Sequence, residues 1–229
     1  MINVSEQWNP KQALLKEYLS RRDKFDEAIK LCLEMHSLVH TSEMSSSTVR
    51  TYEDDLWDGL NEQVFRWIQE NGKPTIAWNS WHMTRIEDIT SNILIADDSQ
   101  VLNNEWSRKL NSEILDTGNA MTVKEIEDFS NRVNMRELRS YRIAVGRRTQ
   151  IIIEQLKSDD LKRKMTSRQL KRIVSEGGVL DVEGSRWLID FWGRKTVSGI
   201  LLMPITRHQI VHLNDSLKMK EKYAKGIPK

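Results

Sequence analysis

Thr75-Ile-Ala-Trp-Asn-Ser-Trp-His-Met-Thr-Arg-Ile-Glu-Asp-Ile-Thr-Ser-Asn-Ile-Leu-Ile-Ala96 places its apolar residues at helical rather than strand spacing. Trp78, His82, Ile86, Ile89 and Ile93 follow one another at intervals of four, four, three and four, so they share one face of an α-helix. A histidine inside such a stripe faces a core. Asp97-Asp98-Ser99 ends the pattern.

The same periodicity extends outward in both directions. Upstream, Leu14, Tyr18, Phe25, Ile29, Cys32 and Val39 predict one long helix over about Lys11 to His40. Thr41 to Thr48 reads as a polar loop, and a shorter helix is expected around Tyr52 to Gln69, stopped by Asn71-Gly72-Lys73-Pro74. Downstream, Thr122-Val-Lys-Glu125 and Thr166-Ser-Arg-Gln169 are capping boxes that open new helices. The first of these runs through Leu156, with a break near Asn131 to Asn134, and Gly177-Gly178 stops the second. A brief element around Ser185 to Trp192 precedes a final helix, roughly Thr196 to Lys222. In that helix Leu201, Ile205 and Val211 lie on one stripe, with Leu202, Ile210, Leu213 and Leu217 beside it. Apolar residues around most of a helix predict a central place in a bundle, and Pro204 predicts a kink one turn before His208. Strand-type alternation is weak throughout. The fold class is therefore all-α, a helical bundle with additional short helices.

With 229 residues, the chain is long enough for one large domain, 1–229. Apolar residues at 38% and charged residues at 30% are the balance of a water-soluble protein. No apolar run approaches the ~20 residues of a membrane span, and no secretory signal is visible, so a cytoplasmic location is expected. Cys32 is the only cysteine; it allows no intrachain disulfide, and its apolar setting reads as core rather than as a nucleophile. The net charge of +2 comes from mixed signs, with no extended basic face. Nucleic acid is not expected as a partner. No Ser-His-Asp order, phosphate loop or dinucleotide glycine pattern occurs.

Chemistry then rests on five histidines. His36 and His40 are four apart, His208 and His212 are four apart, and His82 stands alone. Residues four apart project from one face, so two imidazoles can grip one ion. His82 from one helix and His208 with His212 from another would make a three-nitrogen site inside a bundle. Spacing alone leaves other readings open: the last pair at a polar patch or in solvent, and His82 as a hydrogen-bonded core residue. His36 and His40, near a helix end, are expected to be exposed and favoured by the helix dipole.

Two segments carry a family resemblance. Ile76-Ala-Trp-Asn-Ser-Trp-His82-Met-Thr-Arg-Ile-Glu-Asp88 resembles the second bundle helix of the DinB-like (damage-inducible, YfiT/DinB) metal-binding superfamily. Leu202-Met-Pro-Ile-Thr-Arg-His208-Gln-Ile-Val-His212-Leu-Asn214 resembles its last helix. The resemblance implies an up-down four-helix core, a metal site of His82, His208 and His212, and often a homodimer. It gives His36 and His40 no metal role. Two departures stand out: residues 41–74 form an insertion with a short helix, and Leu213-Asn214-Asp215 replaces the family's glycine-glutamine pair.

Three neutral imidazoles leave a bound ion with an open position, the arrangement of catalytic rather than structural zinc. Zinc is the first expectation and nickel the second. The resemblance implies a transferase acting on a low-molecular-weight thiol and an electrophilic substrate. The alternative is a non-catalytic metal-binding stress-response or interaction module. A DNA-associated role, suggested by the family name, gains nothing from the charge pattern. Around the metal, Arg85 is a candidate for meeting an anionic substrate, Asp215 for orienting His212, and Trp78 for lining the pocket.

Overall fold

A computed structural model describes residues 4–69 and 72–226. Its helices are α1 (Asn9–Leu19), α2 (Phe25–Leu38), α3 (Tyr52–Trp57), α4 (Glu62–Phe65), α5 (Ile76–Asp88), α6 (Asn104–Leu110), α7 (Val123–Arg132), α8 (Met135–Glu154), α9 (Ser167–Ser175), α10 (Glu183–Gly193), α11 (Val197–Ile200) and α12 (His208–Ala224). Wide-turned π segments extend α5 over Ile89–Ala96 and join α11 to α12 over Leu201–Arg207. Among the described residues the only β feature is an isolated bridge between Lys164 and Thr196. The all-α expectation holds. No helix among these residues is long and apolar enough to cross a membrane.

Four helical stretches surround the core. α5 packs on α8 and α12, while α2 packs on α8 and on the π segment before α12. Cross-helix bonds give their senses. Asn79 meets Ser216 while Met83 meets Gln209, so α5 and α12 are antiparallel. Arg85 meets Tyr141 while Ser91 meets Thr149, so α5 and α8 run parallel. Ser37 meets Gln150 while the carbonyl of Val39 meets Arg142, so α2 opposes α8. In chain order the senses are up, down, down, up, and the long connection 97–134 permits the parallel pair.

Several boundaries follow from local chemistry that the sequence displays. Thr122 and Thr166 make both predicted capping boxes. Asp97 ends the α5 extension in a left-handed conformation (φ 55°), and Gly177 (φ 74°) follows α9. Around Pro204, which lacks an N–H, the wide turn leaves carbonyls for side chains: Gln12 Nε2 donates to Leu202 O, and Gln209 Nε2 to Pro204 O.

Other expectations are corrected. The stripe across Lys11–His40 belongs to two helices, not one. Arg21 is extended (φ −117°, ψ 122°), and Lys11 pairs with Glu34 at 2.5 Å across a hairpin. The polar run Ser20-Arg-Arg-Asp23 turns the chain, whereas the apolar spacing continues through it by coincidence, leaving Leu14 exposed. The helix expected over Tyr52–Gln69 is likewise split into α3 and α4, because Gly59 takes a left-handed turn (φ 66°) and Asn61 caps anew. Of the stop read after it, Asn71 lies outside the described residues. The central helix is not the last one, where Val211 is exposed, but α5, every residue of which is buried. Asn79, His82, Arg85, Glu87 and Asp88 can be buried there because each finds a partner outside α5.

Candidate metal centre

α5 begins at a clear cap, with the Thr75 hydroxyl accepting from the Trp78 N–H at 2.9 Å. From there Trp78, Asn79 and His82 face α12 and the loop before α7. His82, His208 and His212 each offer a nitrogen within 4.8 Å of the others, and His82 Nε2 lies 3.1 Å from His208 Nε2. Donors around a tetrahedral ion with bonds of ~2.0 Å stand ~3.3 Å apart. The spacing suits one small cation.

Hydrogen bonds set which nitrogens are available. His82 Nδ1 lies 2.8 Å from the carbonyl oxygen of Thr117. A carbonyl accepts only, so Nδ1 carries the proton and Nε2 presents a lone pair. His212 Nδ1 lies 3.1 Å from Asn79 Oδ1, whose amide nitrogen is turned to Ser216 Oγ. His212 Nε2 is bare by the same argument. His208 Nδ1 is buried without a partner, so its ring is not tied to one tautomer. Bonds from ring nitrogens to neutral acceptors are the usual outer support of metal-binding histidines.

The electrostatics agree. Burial, then the neighbouring His212, drive His82 down to about 3. Burial drives His212 down to about 4 and, with His82 and His212 beside it, holds His208 well below the ordinary value. The imidazoles are therefore neutral at pH 7, and a cation need displace no proton from their lone pairs.

Trp78 stacks on His82 with ring centroids 4.5 Å apart and planes 8° from parallel. It also lines, with Asn79, His212, Asp215, Lys218 and Lys222, a cavity of about 450 Å³. Four successive carbonyls of the loop before α7 accept from side chains of α5, one of them from His82. Leu115 O accepts from Arg85, Asp116 O from Trp81, Thr117 O from His82 and Gly118 O from Trp78. Gly118 needs its glycine: φ is +73°, and a Cβ there would lie 2.8 Å from Trp78 Nε1.

Of the sequence-predicted residues, His82, His208, His212 and Trp78 come together. Arg85 does not join them. It is buried, and its guanidinium is bound to Asp88, Tyr141, Gln100 and Leu115 O, so it meets no substrate. Asp215 lines the cavity, but the acceptor orienting His212 is Asn79. His36 and His40 are not exposed. Both are fully buried, and both face Glu87, because the chain past α2 folds inward rather than ending in solvent. Asn79 could have been found in the sequence, three residues before His82 on one helical face. The Thr117 carbonyl has no such signal.

An all-helical chain whose core presents three converging imidazoles beside a cavity defines a class of helical proteins with a metal-capable site. The chain matches the family model of the DinB superfamily over residues 47–215. It belongs to that superfamily, and all three histidines lie inside the matched segment. No curated protein matches it.

Proposed function

We propose that this member of the DinB superfamily holds one divalent ion, zinc before nickel, on His82, His208 and His212, and transfers a low-molecular-weight thiol to an electrophile. The observation that supports this reading is the set of convergent imidazoles, two with Nδ1 tied back to oxygen acceptors, beside an open cavity. A divalent ion there supplies Lewis acidity that lowers the pKa of a thiol and so yields a nucleophile at neutral pH.

The protein's own contribution is positional. Thr117 O and Asn79 fix two rings, and Trp78 covers one face of His82 against water. Lys73, Lys218 and Lys222 line the same cavity and favour an anionic substituent on thiol or electrophile. In the transfer a sulfur–carbon bond forms, the electrophile's leaving group departs with its electron pair, and the thiol proton passes to solvent.

Elemental analysis after purification without added ions, paired with conjugation of a small thiol to a chromogenic electrophile, tests the reading. Metal should be stoichiometric at this centre, and conjugation should stop on chelation and in His208→Ala. Metal without transfer across a panel of thiols would leave the non-catalytic metal-binding module. A metal-free, normally folded protein would overturn both.

A further inference from the structure

His36, His40 and Glu87 form a second group of ligating side chains that shares no donor with the first. His36 and His40 precede the segment matched by the family, which begins at residue 47. His36 Nε2 lies 2.7 Å from Glu87 Oε1, and His40 Nε2 lies 2.9 Å from Glu87 Oε2. The two rings stand 4.4 Å apart. All three side chains are 0% exposed. Gly146 keeps room for the His40 ring, since a Cβ there would lie 2.7 Å from His40 Nδ1.

The cluster is rich in electron pairs and short of positive charge. Two carboxylates, Glu53 and Glu87, are buried beside one guanidinium, that of Arg142. Arg142 is committed to Glu53 at 2.6 Å and otherwise to Val39 O, Gln209 and Thr84. Arg142 is on α8; Arg85, the buried cation on α5, is paired with Asp88. Glu87's carboxylate is left with two imidazoles. His40 Nδ1 and Glu53 Oε2 face each other 3.9 Å apart, both buried and both without a hydrogen-bond partner. His36 Nδ1 is likewise unpartnered. A buried carboxylate requires a compensating cation or proton.

We propose that His36, His40 and Glu87 bind a second divalent transition-metal ion through two imidazole nitrogens and one carboxylate. Donor separations of 2.7 and 2.9 Å match the ~3.0 Å edge of an octahedron with bonds of ~2.1 Å. Two nitrogens and one oxygen suit iron(II), manganese(II), cobalt(II) or zinc(II). With every ligand buried, the ion is structural and slow to exchange, whereas the three-histidine centre stands beside a cavity.

Cobalt(II) is the probe. The full chain is produced with cobalt(II) supplied and the metal is counted by elemental analysis. Two ions per chain are expected in the unaltered protein and one in the His208→Ala/His212→Ala variant. X-ray absorption of that variant should show two imidazoles and at least one oxygen ligand, and chelator should strip it at least ~10-fold more slowly than it strips the first ion from the unaltered protein. Adding Glu87→Gln should weaken the remaining ion at least ~10-fold. One ion in the unaltered chain and none in the folded double-histidine variant would overturn the proposal, leaving a hydrogen-bonded triad. If the Glu87 change unfolds the protein, those two counts decide without it. Because each centre loses its own ion, failure here is distinct from failure of the three-histidine reading.

Discussion

Two histidine pairs in this protein share one spacing and diverge in everything around it. His208 and His212 project from α12 toward His82, whose outer nitrogen is held by a backbone carbonyl, beside a cavity. His36 and His40 project toward Glu87 in a sealed core. In the first set His82 and His212 meet neutral oxygen acceptors on their far side, and the ring nitrogens of all three converge on one another. The second meets a carboxylate directly. A spacing of four residues makes a pair of imidazoles, but the neighbour across the bundle decides what the pair is for.

The largest test of that contrast removes one member from each side. His208→Ala should abolish metal at the cavity centre while the fold persists, read by elemental analysis and circular dichroism. Glu87→Ala should instead leave two buried imidazoles without their partner and lower stability by about 2–4 kcal/mol, read by urea denaturation. Equal losses of stability would erase the distinction.

A pH series bears on both sides. In metal-free protein His82, His212 and His40 titrate at about 3, about 4 and about 4 within the fold, against an ordinary 6.5. For His82, His212 and His40 the largest cause is burial. The unfolded chain therefore takes up protons first, and stability present above pH ~6.5 declines as pH falls toward ~4. A denaturation midpoint that stays flat between pH 7 and 5 would contradict this, and His40→Gln should make the slope shallower.

Gly118→Ala sharpens the account of the carbonyl cradle. The left-handed backbone and the close Trp78 Nε1 predict a loss of about 1–3 kcal/mol, with weaker metal binding because Thr117 O orients His82. Metal affinity unchanged in the folded variant would show that the cradle does not matter to the centre. Asp215→Ala should be the smallest effect, within about 0.5 kcal/mol and with metal retained. Loss of metal there would restore Asp215 to the role that the structure gives Asn79.

How far the site could be read in advance depends on where each partner sits in the chain. His82, His208 and His212 were legible because each stands in an apolar helical stripe and the last two share a face. Asn79 was within reach of the same geometry. Thr117 was not, since a backbone carbonyl in a loop leaves no trace in residue type. Arg85 looked available for substrate because a lone arginine near a histidine reads so. Asp88 and Tyr141, which bind it, lie respectively on its own helix and on one reached 56 residues later.

The sequence by itself determined the helical class, the capping boxes at Thr122 and Thr166, and the candidate trio of histidines, because helix periodicity and capping are local interactions. Only the tertiary structure decided which helix is central, that His36 and His40 are buried, and which acceptors fix the rings of His82 and His212. α5 shows why. Its buried Asn79, His82, Arg85, Glu87 and Asp88 look like a half-solvated face until α2, α8, α12 and the 115–118 loop supply their partners. A buried polar group is stable only with a partner, and here most of those partners come from distant parts of the chain.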